Sequence, residues 1–288
     1  MVSVIIPVYN EGKTITPCLI SLSKQSYKNM EVIVVDDGST DKTYDVLSEL
    51  SIFNNQLSIY KQDHTGPAQA RNLGAKLAKG EILVFVDGDM TFDKNFISKL
   101  VDPIEKGKAK GTFSKEELLL NKNNIWSLCW NINRFLINNW KLNNDVYKRI
   151  LPVNYPSQQP VFRAILKKEY DKVGGFNRTG YTDDWSLSKK LEYQAQLAPG
   201  AVHYHINPDN LSEIYKQALW IGGNQIITGN LTRKTYNLLR YSFLVSLFVG
   251  LYISFRLKIC QFIIFKIVYD LAVFLSILSS FFTVKTKK

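Results

Sequence analysis

The chain has 288 residues and a formal net charge of +11, with 36 basic and 25 acidic residues. The whole excess lies in residues 140–288, which hold 20 basic and 9 acidic residues. Such a basic half indicates an anionic membrane surface or a phosphorylated acceptor as a partner. Nucleic acid is not expected, because no recognition motif accompanies the charge. Three scattered cysteines exclude a disulfide framework or a zinc site and fit a reducing compartment.

The first ninety residues alternate between predicted strands and helices. The predicted strands are short, apolar and rich in β-branched residues, at residues 2–7, 31–36, 57–62 and 82–86. Helices are predicted at residues 41–50, after Gly66-Pro67 and after Asp93. This order predicts an α/β fold with a doubly wound parallel sheet.

Polar clusters follow three of these strands, at residues 7–11, 36–39 and 87–89. Doubly wound sheets bind ligands outside the carboxyl ends of their strands, so the clusters are expected at one edge. The triplet Asp87-Gly88-Asp89 offers two carboxylates directly after a buried strand. Hard oxygen ligands of this kind suit Mg²⁺ or Mn²⁺ carrying a diphosphate, although the same triplet is also typical of an ordinary turn.

Six sequence runs resemble those of the inverting glycosyltransferases of family 2, whose nucleotide-sugar-binding fold is called GT-A. The matching runs are VSVIIPVYNE (residues 2–11), VVDDGSTD (34–41), GPAQARNLG (66–74), FVDGD (85–89), GGF (174–176) and TDDWSL (182–187). They occur in the order of the family over about 190 residues. The resemblance implies a GT-A fold and a nucleotide-diphospho-sugar donor.

The resemblance assigns the nucleotide site to Pro7, Tyr9, Glu11, Asp37 and Arg71, together with Asp87 near the ribose and metal. Tyr9 would stack on the base, Glu11 would accept from hydroxyl or base donors, and Asp37 would accept from the base. Arg71 would reach the base or the diphosphate. The alternatives are simple packing for Tyr9 and a solvated helix position for Arg71, while Asp36 would cap the following turn.

The same resemblance makes Asp87 and Asp89 the site of a divalent cation, Mn²⁺ or Mg²⁺, with Asp89 as the more direct ligand. The cation would stabilise the negative charge that develops on the departing nucleoside diphosphate. A later histidine often completes this site. His205 is preferred over His203, and a purely structural histidine is an equal alternative.

Asp183-Asp184 corresponds to an acidic pair that is usually Glu-Asp in the family. Asp184 is the expected general base, which removes the proton of the acceptor hydroxyl, and Asp183 would assist it. The pair also suits the start of a predicted helix at residues 185–195, and the two interpretations are compatible. On the acceptor side, Gly175 would let backbone approach a ligand and Trp185 would pack beside it.

The predicted domains are a catalytic domain at residues 1–230 and a membrane-associated helical hairpin at residues 231–288. The catalytic domain would divide into a nucleotide-sugar half at 1–110 and an acceptor half at 111–230. A strand is predicted at 158–166, and one or two amphipathic helices at 115–151, beside the acceptor or with a structural role.

The apolar tail predicts two helices at residues 241–255 and 259–284, with the turn of the hairpin at 256–258. If both span a membrane, the basic flanks place the catalytic domain on the cytosolic face of the cell membrane. Two interfacial helices are the alternative. Two ordinary core helices are less favoured, because the few charges in this tail leave little polar surface to face water. Lys266 and Asp270 stand four residues apart and are able to pair on one helical face.

The sequence therefore predicts a metal-dependent inverting enzyme that transfers one sugar to a hydroxyl or phosphate of a membrane-associated or lipid-linked acceptor. A processive polysaccharide synthase is the alternative within the family. It is less favoured because residues 217–220 read QALW and lack the Arg-Trp pair of the QxxRW motif. A sugar-phosphate nucleotidyltransferase would need a loop richer in Gly, Arg and Lys after the first strand. A catalytically silent binding protein would have lost acidic positions, and all four are filled.

Overall fold

The computed structural model describes residues 1–49, 56–177, 185–223 and 231–282. Contacts divide the chain into two compact units. Unit 1 consists of Met1–Leu118 and Leu151–His205, and unit 2 consists of Leu119–Ile150 and Ile206–Lys288. The predicted domain boundary near residue 230 and the predicted halves of the catalytic domain stay predictions.

The strands are β1 (Val2–Val8), β2 (Met30–Asp36), β3 (Leu57–Lys61), β4 (Ile82–Phe85), β5 (Met90–Phe92), β6 (Gly111–Phe113), β7 (Glu117–Leu119), β8 (Gln158–Gln159), β9 (Ala164–Leu166), β10 (Ala195–Leu197) and β11 (His203–His205). Eight of them form a mixed sheet in the order β3-β2-β1-β4-β9-β6-β10-β8. The first four are parallel, and β9 lies antiparallel between β4 and β6. The remaining three form a small sheet in the order β5-β11-β7.

The helices are α1 (Ile15–Ser23), α2 (Thr43–Ser48), α3 (Pro67–Leu77), α4 (Phe96–Glu105), α5 (Ile125–Ile137), α6 (Lys167–Lys172), α7 (Ser186–Leu191), α8 (Leu211–Ile221), α9 (Leu231–Arg240), α10 (Phe243–Leu257) and α11 (Gln261–Phe282). A short 3₁₀ helix lies at Asn144–Tyr147. The predicted α/β fold is confirmed, and apolar helices are present at the C-terminal end. The sheet is mixed and rich in parallel pairs where a fully parallel sheet was predicted, because β9 enters it antiparallel.

Both faces of the large sheet are covered, which explains the continuous apolar strands. Every residue of β1 and of β4 is buried. Alternate residues of β1 enter different cores: Val4 and Ile6 join one cluster with α1 and α4, and Ile5 joins another with α3. The large sheet is therefore packed on both faces and supports the loops at its carboxyl edge.

Some elements differ from the predicted ones. Residues 158–166 form two short strands, β8 and β9, instead of one. Residues 115–151 contain one α-helix, α5, together with β7 and the 3₁₀ helix. The strands β5 and β6 have only three residues each, which is too short for a periodic pattern to reveal.

Unit 2 is a helical bundle whose apolar core is shared by α5, α8, α10 and α11. In the described residues, one helix segment is long and apolar enough to cross a membrane, Gln261–Ser279, and half of it is buried inside the protein. The pair Thr232–Arg240 and Phe243–Leu257 reaches that length only together and is bent by 48°. By length and composition alone, this is weak support for membrane association.

Candidate active site

The loops that follow β1 and β2 are tied to each other at the carboxyl edge of the sheet. The N–H of Asn10 donates to Oγ of Ser39 at 2.9 Å, and Oδ1 of Asn10 accepts from the N–H of Thr40 at 2.8 Å. The N–H of Glu11 donates to Oγ1 of Thr43 at 2.8 Å. Asn10 has a φ of 57°, a left-handed conformation that Asn tolerates better than most residues. These bonds fix the directions of the two side chains that flank Asn10.

Pro7 lies inside β1 and does not project from a loop. It is in register with Val35 of β2, and it lies past Ile5, the last residue of β1 that pairs with β4. Because this part of β1 is not paired with β4, a residue without an N–H is tolerated there. Contact between Pro7 and a nucleotide stays a prediction.

Asp37 organises the loop that leads into α3. Its Oδ1 accepts from Nε2 of Gln62 at 2.6 Å and from the N–H of Thr65 at 2.9 Å, and its Oδ2 accepts from the N–H of Gly66 at 2.8 Å. The side chain of Asp37 is 3% exposed. Asp37 therefore holds the loop in this structure, and its predicted bond to a base stays a prediction. Oδ1 of the neighbouring Asp36 accepts from the N–H of Ser39 at 2.9 Å, so Asp36 caps the following turn, which was its predicted alternative role.

Tyr9 is stacked on His64, a residue that no sequence motif singles out. The two ring centroids are 4.1 Å apart at an interplanar angle of 28°. Nδ1 of His64 lies 2.9 Å from Oδ2 of Asp37, so this carboxylate holds the imidazole in place. Tyr9 remains 42% exposed, and a cleft lined by Gly38, Ser39 and residues 61–64 lies beside the stack. The pair offers an aromatic platform next to the edge of the sheet.

Asp87 is held by two arginines. Its Oδ1 accepts from Nη2 of Arg71 and its Oδ2 accepts from Nη1 of Arg163, both at 3.0 Å. Burial alone would raise the pKa of Asp87, but the positive charges of Arg163 and Arg71 outweigh burial and hold this pKa well below its usual range. Asp87 is therefore an anchored carboxylate. Arg163 was missed by the sequence reasoning because it lies in no recognised motif.

Asp89 lies beside His205, the preferred histidine. Nε2 of His205 is 2.9 Å from Oδ2 of Asp89, and Nδ1 is 3.0 Å from Oε1 of Glu117. Burial by itself lowers the pKa of His205, but the two carboxylates outweigh it and raise this pKa to about 10. The imidazole is thus a bridge between Asp89 and Glu117, and Glu117 was another residue that the sequence reasoning missed.

His203 differs from His205 although both belong to β11. Its side chain is 1% exposed, and burial lowers its pKa to about 4. The ring lies 5.5 Å from that of Phe96. His203 is therefore a neutral core residue, and among the two histidines only His205 touches Asp89.

Glu11 points into the acidic triplet. A Cβ at Gly88 would meet Oε2 of Glu11, so any side chain between the two aspartates would displace the Glu11 carboxylate. Burial, and then the charges of Asp89 and Asp87, raise the pKa of Glu11 well above its usual value. Three acidic side chains are therefore crowded at the end of β4.

Two buried carboxylate oxygens in this cluster, Oε2 of Glu11 and Oδ1 of Asp89, have no hydrogen-bond partner among the described residues. Crowded acids and orphaned oxygens fit a missing cation. Among those same residues, no three His, Cys, Asp or Glu side chains form a ready cage for a metal ion. A cation held by one or two carboxylates and by substrate phosphates needs no such cage. The residues at this site therefore fit Mg²⁺ or Mn²⁺ that arrives with a diphosphate.

The predicted acceptor side is only partly described. Asp183 and Asp184 lie at residues 178–184, outside the described residues. Trp185 immediately precedes α7 and is 45% exposed. Gly175 has a φ of 72°, and a Cβ there would stand 2.6 Å from Oδ1 of Asn72. Its lack of a side chain is thus explained by close packing on α3, and contact with an acceptor stays a prediction.

The family described as glycosyl transferase family 2 matches residues 3–171, which is more than half of the chain. The chain therefore belongs to glycosyl transferase family 2. Glycosyltransferase GlyG of Streptococcus pneumoniae serotype 4 is 36% identical over 110 residues, covering 38% of this chain and 36% of the relative. Poly-beta-1,6-N-acetyl-D-glucosamine synthase of Staphylococcus epidermidis is 24% identical over 232 residues, covering 78% and 55%. The matches span only 16% to 36% of the lengths of the first three curated relatives.

Solved structures share the fold. The mannosyltransferase PcManGT from Pyrobaculum calidifontis, in complex with GDP-Man and Mn²⁺, has a TM-score of 0.60 at 18% identity and is matched over 96% of this chain and 86% of its own. Residues 1–349 of S. aureus TarS, in complex with UDP, have a TM-score of 0.51 at 17% identity, with coverage of 100% and 93%. At these identities the likeness establishes a GT-A type of fold.

Proposed function

We propose that this protein is a metal-dependent inverting glycosyltransferase that moves one sugar from a nucleotide-diphospho-sugar to a membrane-associated or lipid-linked acceptor. The observation that carries the proposal is the cluster of Glu11, Asp87 and Asp89 with His205, at the carboxyl edge of the sheet in a chain of family 2. Two buried carboxylate oxygens in that cluster have no hydrogen-bond partner among the described residues, and a bound cation would satisfy them.

The donor would lie along the carboxyl edge of β1, β2 and β4. The exposed ring of Tyr9, backed by His64, offers a stacking face for the base. Asp37 fixes the loop that carries His64 and leads into α3. Arg71 and Arg163 hold Asp87, so this carboxylate stays ionised and in one place when a ribose or a cation reaches it.

Asp89 would be the main protein ligand of Mn²⁺ or Mg²⁺, with Asp87 and His205 beside it. When bound, such a cation neutralises charge on the diphosphate as it leaves. His205 touches Asp89 directly, so it orients that carboxylate in the cation-free protein. PcManGT, which shares the fold, is known in complex with Mn²⁺.

Asp184 would act as the general base. It would take the proton of the acceptor hydroxyl as the acceptor oxygen forms a bond to the anomeric carbon. The bond from that carbon to the diphosphate oxygen would break on the opposite face, and the nucleoside diphosphate would leave with the electron pair. The configuration at the anomeric carbon would therefore invert. A phosphate acceptor would need no such base, so the effect of Asp184 also separates the two acceptor classes.

The acceptor is assigned to a membrane on the basis of charge and apolar surface. Residues 140–288 carry the whole basic excess, and unit 2 exposes large apolar side chains on α10 and α11. The proposed location is the cell membrane, with the catalytic domain on its cytosolic face, because the anionic lipids of the cytoplasmic leaflet attract basic residues.

A processive polysaccharide synthase is the second candidate, and one observation favours it. The poly-beta-1,6-N-acetyl-D-glucosamine synthase matches 78% of this chain. Against it, residues 217–220 on α8 read QALW and lack the Arg-Trp pair of the QxxRW motif. Product length on a labelled acceptor separates the two, since a single-sugar enzyme stops after one addition and a synthase gives a ladder.

A donor screen tests the proposal. The full chain is incubated with UDP- and GDP-sugars, Mn²⁺ or Mg²⁺ and a membrane extract, and release of nucleoside diphosphate is measured. We expect release with one donor family only, dependent on the cation and on the extract. Release that persists in excess chelator would exclude the metal role, and no release with any donor would overturn the proposal.

A further inference from the structure

Helix α10 presents a stripe of large apolar side chains that nothing in the described residues covers. Leu244, Phe248, Leu251, Tyr252 and Phe255 recur at helical spacing, and Phe248 and Phe255 are 70% and 89% exposed. The opposite face of α10 is small and buried, with Ser246 and Gly250 inward. Soluble surfaces seldom expose a contiguous apolar patch of this extent without a partner.

Helix α11, which packs against α10, carries a second row of exposed apolar side chains. Ile264, Leu271, Leu275 and Leu278 are between 36% and 49% exposed and repeat on one side of the helix. The two helices touch closely, because a Cβ at Gly250 would stand 3.1 Å from Cα of Ile263. We call the exposed apolar residues of α10 and α11 the apolar surface.

The other side of α11 is not available to lipid. Its buried residues pack with α5 and α8, and the rings of Trp130 and Tyr269 are 5.4 Å apart. Nζ of Lys266 donates to Oδ1 of Asp270 at 2.8 Å and to Oδ1 of Asn133 on α5 at 3.1 Å. This charged pair is therefore satisfied inside the bundle and faces neither lipid nor a pore.

One partner of α11 exposes polar groups. Helix α8 exposes Lys216 and Gln217, and a crossing α11 would draw these groups to the depth of the hydrocarbon. Helix α10 has 15 residues, which at about 1.5 Å each is well short of a bilayer core of about 30 Å. The geometry suits helices that lie along an interface.

Exposed basic residues flank the apolar helix α10 in the sequence. Within residues 231–282, Arg233, Arg240, Arg256 and Lys258 are exposed, whereas Asp270, the only acidic residue of that range, is buried. Nζ of Lys234 lies 5.3 Å from the ring of Phe281, an arrangement in which a cation covers an aromatic face at the end of the surface. Anionic headgroups complement these basic residues.

We propose that the apolar surface docks on an anionic phospholipid membrane, with α10 and α11 lying in the plane of the interface and not crossing the bilayer. This inference deepens the membrane part of the proposed function and rests on it. It replaces a spanning hairpin with an interfacial one, which the sequence had left as the alternative.

Vesicle binding tests the docking surface. The full chain is sedimented with vesicles of phosphatidylcholine alone or with about a third phosphatidylglycerol. We expect strong binding only to the anionic vesicles, weakened in about 0.5 M salt. The variant with both Leu251→Glu and Phe255→Glu should lose binding about tenfold or more, while Leu120→Glu, at an exposed leucine outside the apolar surface, should bind normally. Equal loss in both variants, or a dimer in solution that ignores vesicles, would overturn the proposal.

Cys260 tests the orientation. It is exposed at the turn between α10 and α11, whereas Cys18 and Cys129 are buried. In spheroplasts that express the chain, a membrane-impermeant maleimide should not label Cys260 until the membrane is broken, and alkaline carbonate should extract the protein. Labelling of intact spheroplasts, or resistance to carbonate, would establish a crossing and overturn the in-plane arrangement. Nucleotide binding is measured in parallel for the wild type and for the Leu251→Glu, Phe255→Glu variant. If neither protein binds nucleotide, that result counts against the proposed function and not against docking.

Discussion

Nε2 of His205 lies 2.9 Å from Oδ2 of Asp89, although 116 positions separate the two residues in the chain. The contact joins the residue that precedes β5 to β11, the last strand of unit 1, and β11 pairs with β5. It brings an imidazole to the carboxylate that we expect to bind a cation.

Asp89→Asn should abolish binding of the donor in the presence of Mn²⁺ and reduce turnover by at least about 10²-fold, because the neutral amide is a poorer ligand for a hard cation. Donor affinity is measured by calorimetry with Mn²⁺ and with chelator. Asp102→Asn, at an exposed residue paired only with Lys106, is the control and should behave as wild type. If chelator leaves the donor affinity of the wild type unchanged, the donor binds without a cation and the proposed metal role is wrong.

Asp184→Asn should lower kcat by about 10² to 10⁴-fold with a hydroxyl acceptor while leaving donor affinity nearly intact, since a general base acts only as the proton is lost. Asn caps a helix about as well as Asp, so a merely capping residue would tolerate the change. Asp183→Asn is the matched control and should lose less activity. A near-normal kcat in Asp184→Asn would take this residue out of catalysis.

Arg163→Met should destabilise the protein by about 1–2 kcal/mol at neutral pH, between the values for exposed and buried ion pairs. The pKa of Asp87 is depressed in the folded protein, so its stabilising contribution is present above its unfolded pKa of about 4 and is lost as the pH falls. The stability difference between wild type and variant should therefore shrink below about pH 4. Urea unfolding at several pH values measures this difference in the free energy of unfolding. Arg163→Lys, which keeps the positive charge, is the control. A difference that does not change with pH would mean that the loss comes from packing.

Tyr9→Ala should weaken donor binding about tenfold or more, because stacking of a base on an aromatic ring contributes about 1–3 kcal/mol. His64→Ala should weaken it less, since His64 supports the ring of Tyr9 from one side. Tyr215→Ala changes an exposed tyrosine of α8 and serves as the control. Titration with nucleoside diphosphates lacking the sugar measures the effect, and equal affinities in wild type and Tyr9→Ala would contradict base stacking.

Removing one member of the pair Lys266 and Asp270 should destabilise the bundle by about 3–5 kcal/mol, because the partner is left charged and buried. The double variant Lys266→Met, Asp270→Leu should be more stable than either single variant. Thermal unfolding of all four proteins gives the coupling between the two sites. Additive losses would show that the pair acts through packing alone.

The edge of the sheet was predictable from sequence because Asp37, Asp87 and Asp89 follow continuous apolar runs rich in β-branched residues. Arg163 and Glu117 were not, because short strands carry them to the site. The N–H of Phe85 in β4 donates to the carbonyl oxygen of Arg163, and the N–H of Arg163 donates to the carbonyl oxygen of Thr112, both at 2.9 Å. These long-range backbone pairs bring Arg163 to Asp87. His64 was missed for a related reason, since a histidine in a loop carries no periodic signal.

The antiparallel strand β9 has a consequence for synthesis of the chain. It pairs with β4, whose four residues are all buried, yet it follows β4 by about eighty residues. While the ribosome makes the intervening segment, one side of β4 has open backbone groups and an apolar sequence, the combination that recruits foreign strands. The nascent chain is thus most vulnerable to aggregation between the completion of β4 and the emergence of β9, and a chaperone that shields this interval would raise the yield of folded enzyme.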